Sequence, residues 1–128
     1  MKTEKLRYER GLKRRKQVLG RKYVEARLKN RHPLTDEFQA LITRYAWGEL
    51  WTRPRFDDRM RRLLVLAMMV ATKSWEEFEL HVRAGLAREL SQEDLKEVLM
   101  LAAIYCGVPA ANTAFAHARK LIEQRTAA

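Results

Sequence analysis

The feature of this chain that most limits its fold is the placement of its helix-breaking residues. The 128 residues include only five glycines and three prolines, and Pro33, Pro54 and Pro109 all stand where a helical apolar pattern starts or stops. No stretch alternates apolar and polar residues for long enough to predict a strand. The pattern therefore predicts an all-α, single-domain bundle of about six helices with short connections.

Capping and stop signals set approximate bounds for these helices. They are expected at about 4–19, from Asp36 to just before Pro54, from Asp57 to about 72, and at about 75–88, 92–106 and 109–124. Two capping boxes are predicted, one pairing Ser74 with Glu77 and one pairing Ser91 with Asp94. The third helix is apolar on nearly all sides from Leu63 to Ala71, so it is expected to be the central, most buried element.

Positive charge is concentrated at the N-terminus of what we expect to be one domain, 1–128. The net charge is +10, and residues 1–31 alone hold 13 Lys and Arg against three Glu. Such a basic N-terminal helical segment could bind nucleic acid or an anionic surface. The alternative, which we favour, is a solvated helix face. Only Tyr8 and Tyr23 are aromatic in this segment, which disfavours stacking on bases.

Cysteine usage and hydropathy indicate a cytoplasmic protein that does not enter a membrane. Cys106 is the single cysteine, so neither an intrachain disulfide nor a cysteine-based zinc site is possible. The N-terminal residues lack an apolar signal region. The longest apolar run, 63–71, is shorter than the roughly 20 residues that span a bilayer.

His81 is the histidine with the strongest case for chemistry. Helical phase places it on the apolar face shared by Phe78, Val82 and Gly85, where an ionisable group is costly unless it is satisfied. Glu77 precedes it by one turn and could pair with it, making His81 a candidate general acid or base. The alternative is a core histidine bonded to a backbone carbonyl, with Glu77 engaged in its capping box.

The remaining nucleophiles and ligands predict little chemistry. The three histidines are 36 or more residues apart, which gives no metal-binding spacing. Cys106 shares a core stripe with Leu95 and Leu99 and is interpreted as structural. His117 is expected to be exposed on the last helix, and His32, beside Pro33, is expected in a loop.

The segment YAWGELWTRP, residues 45–54, has two interpretations. Trp47 and Trp51 lie four residues apart, as in an ordinary aromatic pair that packs in a core or between subunits. Arg44 and Arg53 flank them and Arg59 follows, and guanidinium groups beside an aromatic wall suit a small carboxylate ligand.

Four stretches together resemble the 4-carboxymuconolactone decarboxylase family. They are YERGLKRRKQVLG, EFQALITRYAWGELWTRP, ELHVRAG and EDLKEVLMLAAIYCGVPAANTAF, and they follow the family order over nearly the whole chain. The resemblance implies the all-α fold of the alkylhydroperoxidase D-like superfamily and a homo-oligomer, with a hexamer or trimer favoured. The peroxidase branch carries Cys-x-x-Cys-x-x-x-His with an upstream Glu. Here Ser74 and Glu77 stand at the cysteine positions and Arg62 at the glutamate position, which excludes thiol peroxidase chemistry.

The resemblance also implies a reaction and a set of roles. The substrate would be a small dicarboxylate lactone, and the lactone itself would accept the electrons of the departing carboxylate, so no cofactor or metal is needed. Arg53 and Arg59, with Arg44 behind them, would hold one carboxylate, and an apolar wall of Trp47 and Trp51 would face the other. His81 would stabilise the oxyanion or return a proton, oriented by Glu77. The pathway would be the protocatechuate branch of β-ketoadipate catabolism.

Some positions depart from the family pattern and leave the substrate open. Tyr45 stands where a histidine is frequent, Arg55 occupies a glycine position, and His117 comes one residue later than the expected histidine. A paralogue acting on another lactone or carboxylated ring is therefore an alternative. A basic nucleic-acid-binding module and a non-catalytic assembly protein are the alternatives from other classes.

Overall fold

A computed structural model describes residues 2–127, and most of them lie in helices. Across that range there are seven α-helices, one π-helical segment and no strand, so the predicted all-α class is confirmed. The chain forms two compact units, the first ending at Phe56 and the second beginning at Asp57. No helix within residues 2–127 is both long and apolar enough to cross a membrane.

The first unit contains one helix more than the sequence predicts. Its elements are α1 (Lys2–Leu19), α2 (Arg21–Lys29), α3 (Asp36–Ile42) and the π-helical segment (Thr43–Leu50). Gly20 does end α1, but its φ of 102° turns the chain for a single residue before α2 begins. Val24 is the residue that α2 buries. The predicted helix stop at Gly20 is confirmed, and the residue forms a corner between two helices.

The second half of the predicted 36–52 helix is π-helical, and this was not foreseen. The Trp51 N–H donates to the Ala46 carbonyl, five residues earlier, at 2.9 Å. Such segments occur often at functional sites in proteins.

Two glycines allow α1 to pack directly on the backbone of the π-helical segment. A Cβ added to Gly11 would lie 1.9 Å from the Thr43 carbonyl oxygen, and one added to Gly48 would lie 2.5 Å from the Arg7 carbonyl oxygen. No larger side chain fits either position without movement of one element. The Gly48 of the YAWGELWTRP stretch is therefore explained by close helix packing.

Arginines of α1 bind carbonyls at the end of the π-helical segment. The Nε of Arg10 donates to the Gly48 carbonyl at 3.0 Å, and the Nε of Arg14 donates to the Trp51 carbonyl at 2.8 Å. The last carbonyls of a helix have no partner within it and carry partial negative charge, which cations stabilise. Part of the basic N-terminal surplus thus has a structural role within its own unit.

The second unit is a four-helix unit built around α4. Its helices are α4 (Asp58–Thr72), α5 (Trp75–Leu86), α6 (Gln92–Tyr105) and α7 (Val108–Ala127), and α4 packs against each of the other three. Its core includes Leu66 and Val70 of α4, Phe78 and Val82 of α5, and further residues of α6 and α7. The predicted central place of α4 within this unit is confirmed. However, Leu64 and Met68 are exposed, and α4 buries three residues whereas the shorter α5 buries five. The prediction that α4 is the most buried element is therefore wrong.

Helix ends in this unit follow the sequence signals with one exception. Ser91 and Asp94 form the predicted reciprocal capping box at the start of α6. Asp57 accepts from the Met60 N–H at the start of α4, and Gly107, at φ 100°, separates α6 from α7. Ser74 does stand at the start of α5, but its side chain makes no cap hydrogen bond. Its hydroxyl instead lies 2.8 Å from that of Thr72, so the predicted Ser74–Glu77 box is wrong.

Candidate active site

His81 lies inside the second unit on the predicted face of α5. Its side chain is buried, as are Phe78, Val82 and Gly85 on the same helix. A ring in this position needs a polar partner, because a buried polar group without a hydrogen bond costs free energy.

Arg62 of α4 provides a partner for the imidazole. One terminal guanidinium nitrogen, Nη1, lies 3.2 Å from Nδ1 of His81. Arginine can only donate, so Nδ1 accepts and must be unprotonated. In the neutral ring the proton is then on Nε2. Arg62 therefore assigns the tautomer.

The same surroundings keep the imidazole uncharged at neutral pH. Burial, and then the positive charge of Arg62, lower the pKa of His81 from 6.5 to about 4. The ring is therefore a hydrogen-bond donor through Nε2–H and a poor source of a free proton at pH 7.

Glu89 neutralises Arg62. Its Oε1 accepts from Nε of Arg62 at 2.7 Å and its Oε2 accepts from Nη2 at 3.3 Å, so the pair is bidentate. Arg62 is completely buried, and a carboxylate partner is what a buried guanidinium requires. Gly85 leaves room mainly for Leu90, because a Cβ there would lie 2.6 Å from Cδ1 of Leu90, and it would also lie 3.3 Å from Cδ of Arg62.

Little in the sequence indicates that these three side chains form a cluster. Arg62 and Glu89 are 27 residues apart, and Arg62 and His81 are 19 apart, so helical phase within one element could not pair them. The one available hint was that Arg62 occupies the glutamate position of the peroxidase motif.

Glu77 is placed differently from the expected pairing with His81. It is exposed in the first turn of α5, where an acidic side chain is stabilised by the positive end of the helix dipole. The described contact of the His81 Nδ1 is with Arg62 instead. A direct catalytic role for Glu77 stays a prediction that these contacts do not support.

Arg59, predicted to bind substrate, already has a carboxylate partner in the second unit. Its guanidinium pairs with Asp94, with Nε 3.3 Å from Oδ2 and a closer contact from Nη2 to Oδ1. The hydrogen bond from Arg59, followed by that from the Ser91 backbone, lowers the pKa of Asp94 to about 2. A substrate carboxylate would have to compete with this pair.

The other predicted binding residues lie in the first unit. Trp47 and Trp51 are both buried and stack with ring centroids 5.0 Å apart. The Nε of Arg44 lies 3.2 Å from Oε2 of Glu4, and its guanidinium is 5.8 Å from the centre of the Tyr45 ring. Arg53 is exposed just after the π-helical segment. The structure therefore places the two predicted tryptophans in direct contact with each other, and it pairs Arg44 with the carboxylate of Glu4.

The remaining histidines and the cysteine have structural surroundings. His117 is half-buried, stacks on Trp75 at 5.2 Å and is hydrogen-bonded to Glu79, so its predicted exposure is wrong. Its place on α7 faces α5, which helical phase within α7 alone could not show.

His32 is exposed in a turn, as predicted, and its Nδ1 accepts from the Leu34 N–H. Cys106 packs at the edge of the core, as expected of a structural thiol. No group of three possible metal ligands occurs within residues 2–127.

The fold and this site define a class of protein. The chain is an all-helical protein of the alkylhydroperoxidase D-like type. Ser74 and Glu77 stand at the dithiol positions of the peroxidase branch, and the buried histidine is neutral and held by arginine. The carboxymuconolactone decarboxylase family model matches residues 36–120. The chain belongs to this family.

Two characterised relatives resemble the chain over most of its length. Nitrosuccinic acid decarboxylase of Metarhizium robertsii is 39% identical over 115 residues, covering 90% of this chain and 80% of the relative. The 4-carboxymuconolactone decarboxylase of Acinetobacter baylyi is 34% identical over 121 residues, covering 94% of this chain and 90% of the relative. Both are decarboxylases, and their substrates differ.

Proposed function

We propose that this protein is a carboxy-lyase that converts 4-carboxymuconolactone to 3-oxoadipate enol-lactone, in protocatechuate catabolism. The family match and the Acinetobacter relative support the reaction type and this substrate. The observation that carries the proposal is a buried imidazole held neutral, with its proton on Nε2, by the Arg62 guanidinium.

The proposed reaction needs a group that stabilises negative charge on oxygen. The carboxylate on the carbon beside the ring oxygen leaves as CO2, and its bonding electrons move through the ring double bond to the lactone carbonyl. The result is a dienolate, which takes a proton at the carbon next to that carbonyl. Because the lactone receives the electrons, the step requires no cofactor.

His81 suits the stabilising role better than the proton-delivering role. On substrate binding, Nε2–H would donate to the carbonyl oxygen, and this bond strengthens as the oxygen becomes an anion. A neutral imidazole performs the same electrophilic role in other enzymes. Delivery of the Nε2 proton would leave an imidazolate, so the proton for carbon is assigned to a different donor.

Nitrosuccinic acid is the second candidate substrate, favoured by the relative at 39% identity. Loss of the carboxylate beside its nitro group would place the negative charge on the nitro oxygens. That anion makes the same demand as the dienolate, namely a neutral donor facing an oxygen. Both molecules are small and carry two carboxylates, so the candidate binding arginines serve either one.

The substrate contacts are proposed as the sequence predicted them. The stacked pair Trp47 and Trp51 would form an apolar wall beside the leaving carboxylate, where loss of water raises its energy. Arg53 and Arg59, with Arg44 behind them, would hold the other carboxylate. Arg59 would exchange Asp94, and Arg44 would exchange Glu4, for the substrate.

One comparison tests the proposal and ranks the substrates. Purified protein is given carboxymuconolactone generated in situ, or nitrosuccinate, and CO2 release is followed with enol-lactone or nitroalkane formation. We expect faster turnover of the lactone. Faster turnover of nitrosuccinate would make nitrosuccinate the preferred substrate. Release of no CO2 from either acid would refute both proposed activities.

Variants of two histidines complete this test. His81→Ala should lower kcat by roughly 100-fold or more, as loss of an oxyanion donor does in other enzymes. His32→Ala, in an exposed turn, is the matched control and should keep the wild-type rate. A His81→Ala protein that retains its helical circular dichroism and near-normal turnover would contradict the proposed role.

We also propose that the protein is a homo-oligomer. The surface formed by Met100, Leu101, Ile104, Tyr105 and Val108, called the α6 surface below, is strongly exposed in the single chain. Contiguous apolar surfaces of this kind mark association sites, and a second copy of this chain is the partner that the family resemblance implies. Light scattering coupled to size-exclusion chromatography should give a mass of three or six chains.

A further inference from the structure

The second unit encloses a line of three polar side chains from two helices and the loop after α5. Glu89 holds Arg62 through two hydrogen bonds, and Arg62 in turn contacts Nδ1 of His81 at 3.2 Å. Arg62 is fully buried, whereas the Glu89 side chain is 20% exposed. A fully buried arginine is costly, so its retention needs an explanation beyond packing.

Two consequences of this geometry act on the imidazole. The guanidinium can only donate, so it selects the tautomer with the proton on Nε2. Its positive charge also opposes protonation of the ring, while Glu89 neutralises Arg62 itself. Without Arg62, Nδ1 could carry the proton, and the ring would then present an acceptor where the reaction requires a donor.

We infer that Arg62, oriented by Glu89, is a positioning residue that fixes His81 as the neutral Nε2–H tautomer. The catalytic meaning of this inference rests on the proposed decarboxylase function, but the tautomer assignment does not. A wrong tautomer of a central histidine costs orders of magnitude in rate in other enzymes.

Other charged groups around α5 have different partners. On α7, His117 and Lys120 both pair with Glu79, which the hydrogen bond from Lys120 and then that from His117 keep at a lowered pKa. On α5 itself, Glu77 and Arg83 are exposed. Arg62, by contrast, contacts the His81 ring directly through Nη1.

The test reads the tautomer directly by nitrogen NMR of the ¹⁵N-histidine-labelled full chain. In the wild type we expect the His81 signals of an Nε2–H ring at pH 7, with titration only well below pH 6. Arg62→Met removes both the donor and the charge, so the tautomers should mix and the pKa should rise. Arg62→Gln keeps an N–H donor without the charge, so the pKa should rise while the Nε2–H form persists.

Steady-state kinetics on the better substrate distinguish an effect of Arg62 on catalysis through His81 from an effect on the stability of the fold. Arg62→Met should lower kcat about 100-fold with little change in KM, and Arg62→Gln should recover part of that loss. Arg83→Gln, an exposed arginine of the same helix as His81, is the control and should match the wild type in both readouts.

Each outcome decides the inference. An Nδ1–H ring in the wild type, or an Arg62→Met protein with unchanged tautomer and kcat, would overturn it. If Arg62 variants fail to fold, Glu89→Gln replaces them: a broadened or mixed His81 tautomer and reduced kcat support the inference, and unchanged values refute it. If neither acid is decarboxylated, the proposed function fails while the NMR result still stands.

Discussion

The protonation state of His81 is set by two features of its surroundings, burial and an adjacent guanidinium. Together they lower its pKa to about 4, with burial as the larger cause and the charge of Arg62 as the second. The residue therefore behaves as a fixed dipole with its positive end at Nε2–H. This is the property that a decarboxylase needs if it must hold an oxygen anion at neutral pH.

Stability should depend on pH through this residue. Below pH 6.5 the unfolded chain binds a proton at His81, whereas the folded chain does so only near pH 4, so folding weakens as pH falls through this window. Between pH 7 and 5 the loss should be about 2 kcal/mol. Urea unfolding of the wild type and of His81→Gln at both pH values measures it, because the other histidines cancel in the comparison. Equal pH dependence in both proteins would contradict the lowered pKa.

Arg53 should act on substrate binding and not on folding. It is exposed after the π-helical segment, and substitutions of exposed residues usually change stability little. We expect Arg53→Ala to raise KM about tenfold, as loss of a charged hydrogen bond to a carboxylate does, with a smaller effect on kcat. Arg55→Ala removes an equally exposed guanidinium two residues away and serves as the control. If the two variants give the same KM, Arg53 has no specific role.

At the level of elements, the close contact between α1 and the π-helical segment should make Gly11 intolerant of substitution. An alanine in place of a helical glycine ordinarily stabilises a protein by up to about 1 kcal/mol. At Gly11 the added carbon would overlap the Thr43 carbonyl, so the sign should reverse.

We therefore predict that Gly11→Ala is destabilised by about 1–3 kcal/mol or more, the range for overpacking a core. The measurement is the midpoint of urea or thermal unfolding relative to the wild type. Lys13→Ala, two residues along the exposed side of α1, controls for helix propensity and should change stability little. A more stable Gly11→Ala protein would show that the two elements are not packed as described.

The sequence predicted elements better than it predicted contacts. Pro109, Gly107 and the Ser91–Asp94 box mark helix ends through local chemistry, and these predictions are confirmed. The helix after Gly20 was missed because no side-chain capping residue marks its start. The π-helical hydrogen bonds were missed because residue types do not distinguish a bond to the fourth residue back from one to the fifth.

In the candidate site too, the sequence predicted the position along a helix better than the contacts between helices. The burial of His81 followed from periodicity along one helix, and this part is confirmed. The partner of His81 could not be predicted in this way, because Arg62 lies 19 residues away on another helix. Glu77, the acidic residue one turn before His81, is exposed. Partners across helices depend on how helices pack, which a single sequence does not specify.

At the scale of the whole molecule, charge and apolar surface are unevenly distributed. The net charge of +10 originates in residues 1–31, and arginines there bind carbonyls and acidic groups of the first unit. The α6 surface belongs to the second unit and consists of exposed aliphatic, methionine and tyrosine side chains. A monomer would leave that surface in water, which is why we expect association through it.

A charge on the α6 surface should therefore lower the oligomer mass. Ile104 is 77% exposed, and Ile104→Lys would place an ammonium group inside an apolar interface. We expect this variant to elute as a smaller species, measured by light scattering at micromolar concentration. Leu34→Lys, at a site 83% exposed in a turn, is the matched control and should keep the wild-type mass. An unchanged mass for Ile104→Lys would place the interface elsewhere.

The hydrogen bond from Arg62 should also prevent the His81 ring from binding a metal ion. Nickel, copper and zinc bind histidine through a ring nitrogen that offers a lone pair. At neutral pH the lone pair of Nδ1 accepts from Arg62 while Nε2 carries the proton, so neither nitrogen offers one. An enzyme shielded in this way should pass through a nickel column, or a buffer with traces of copper, without being poisoned at its central residue.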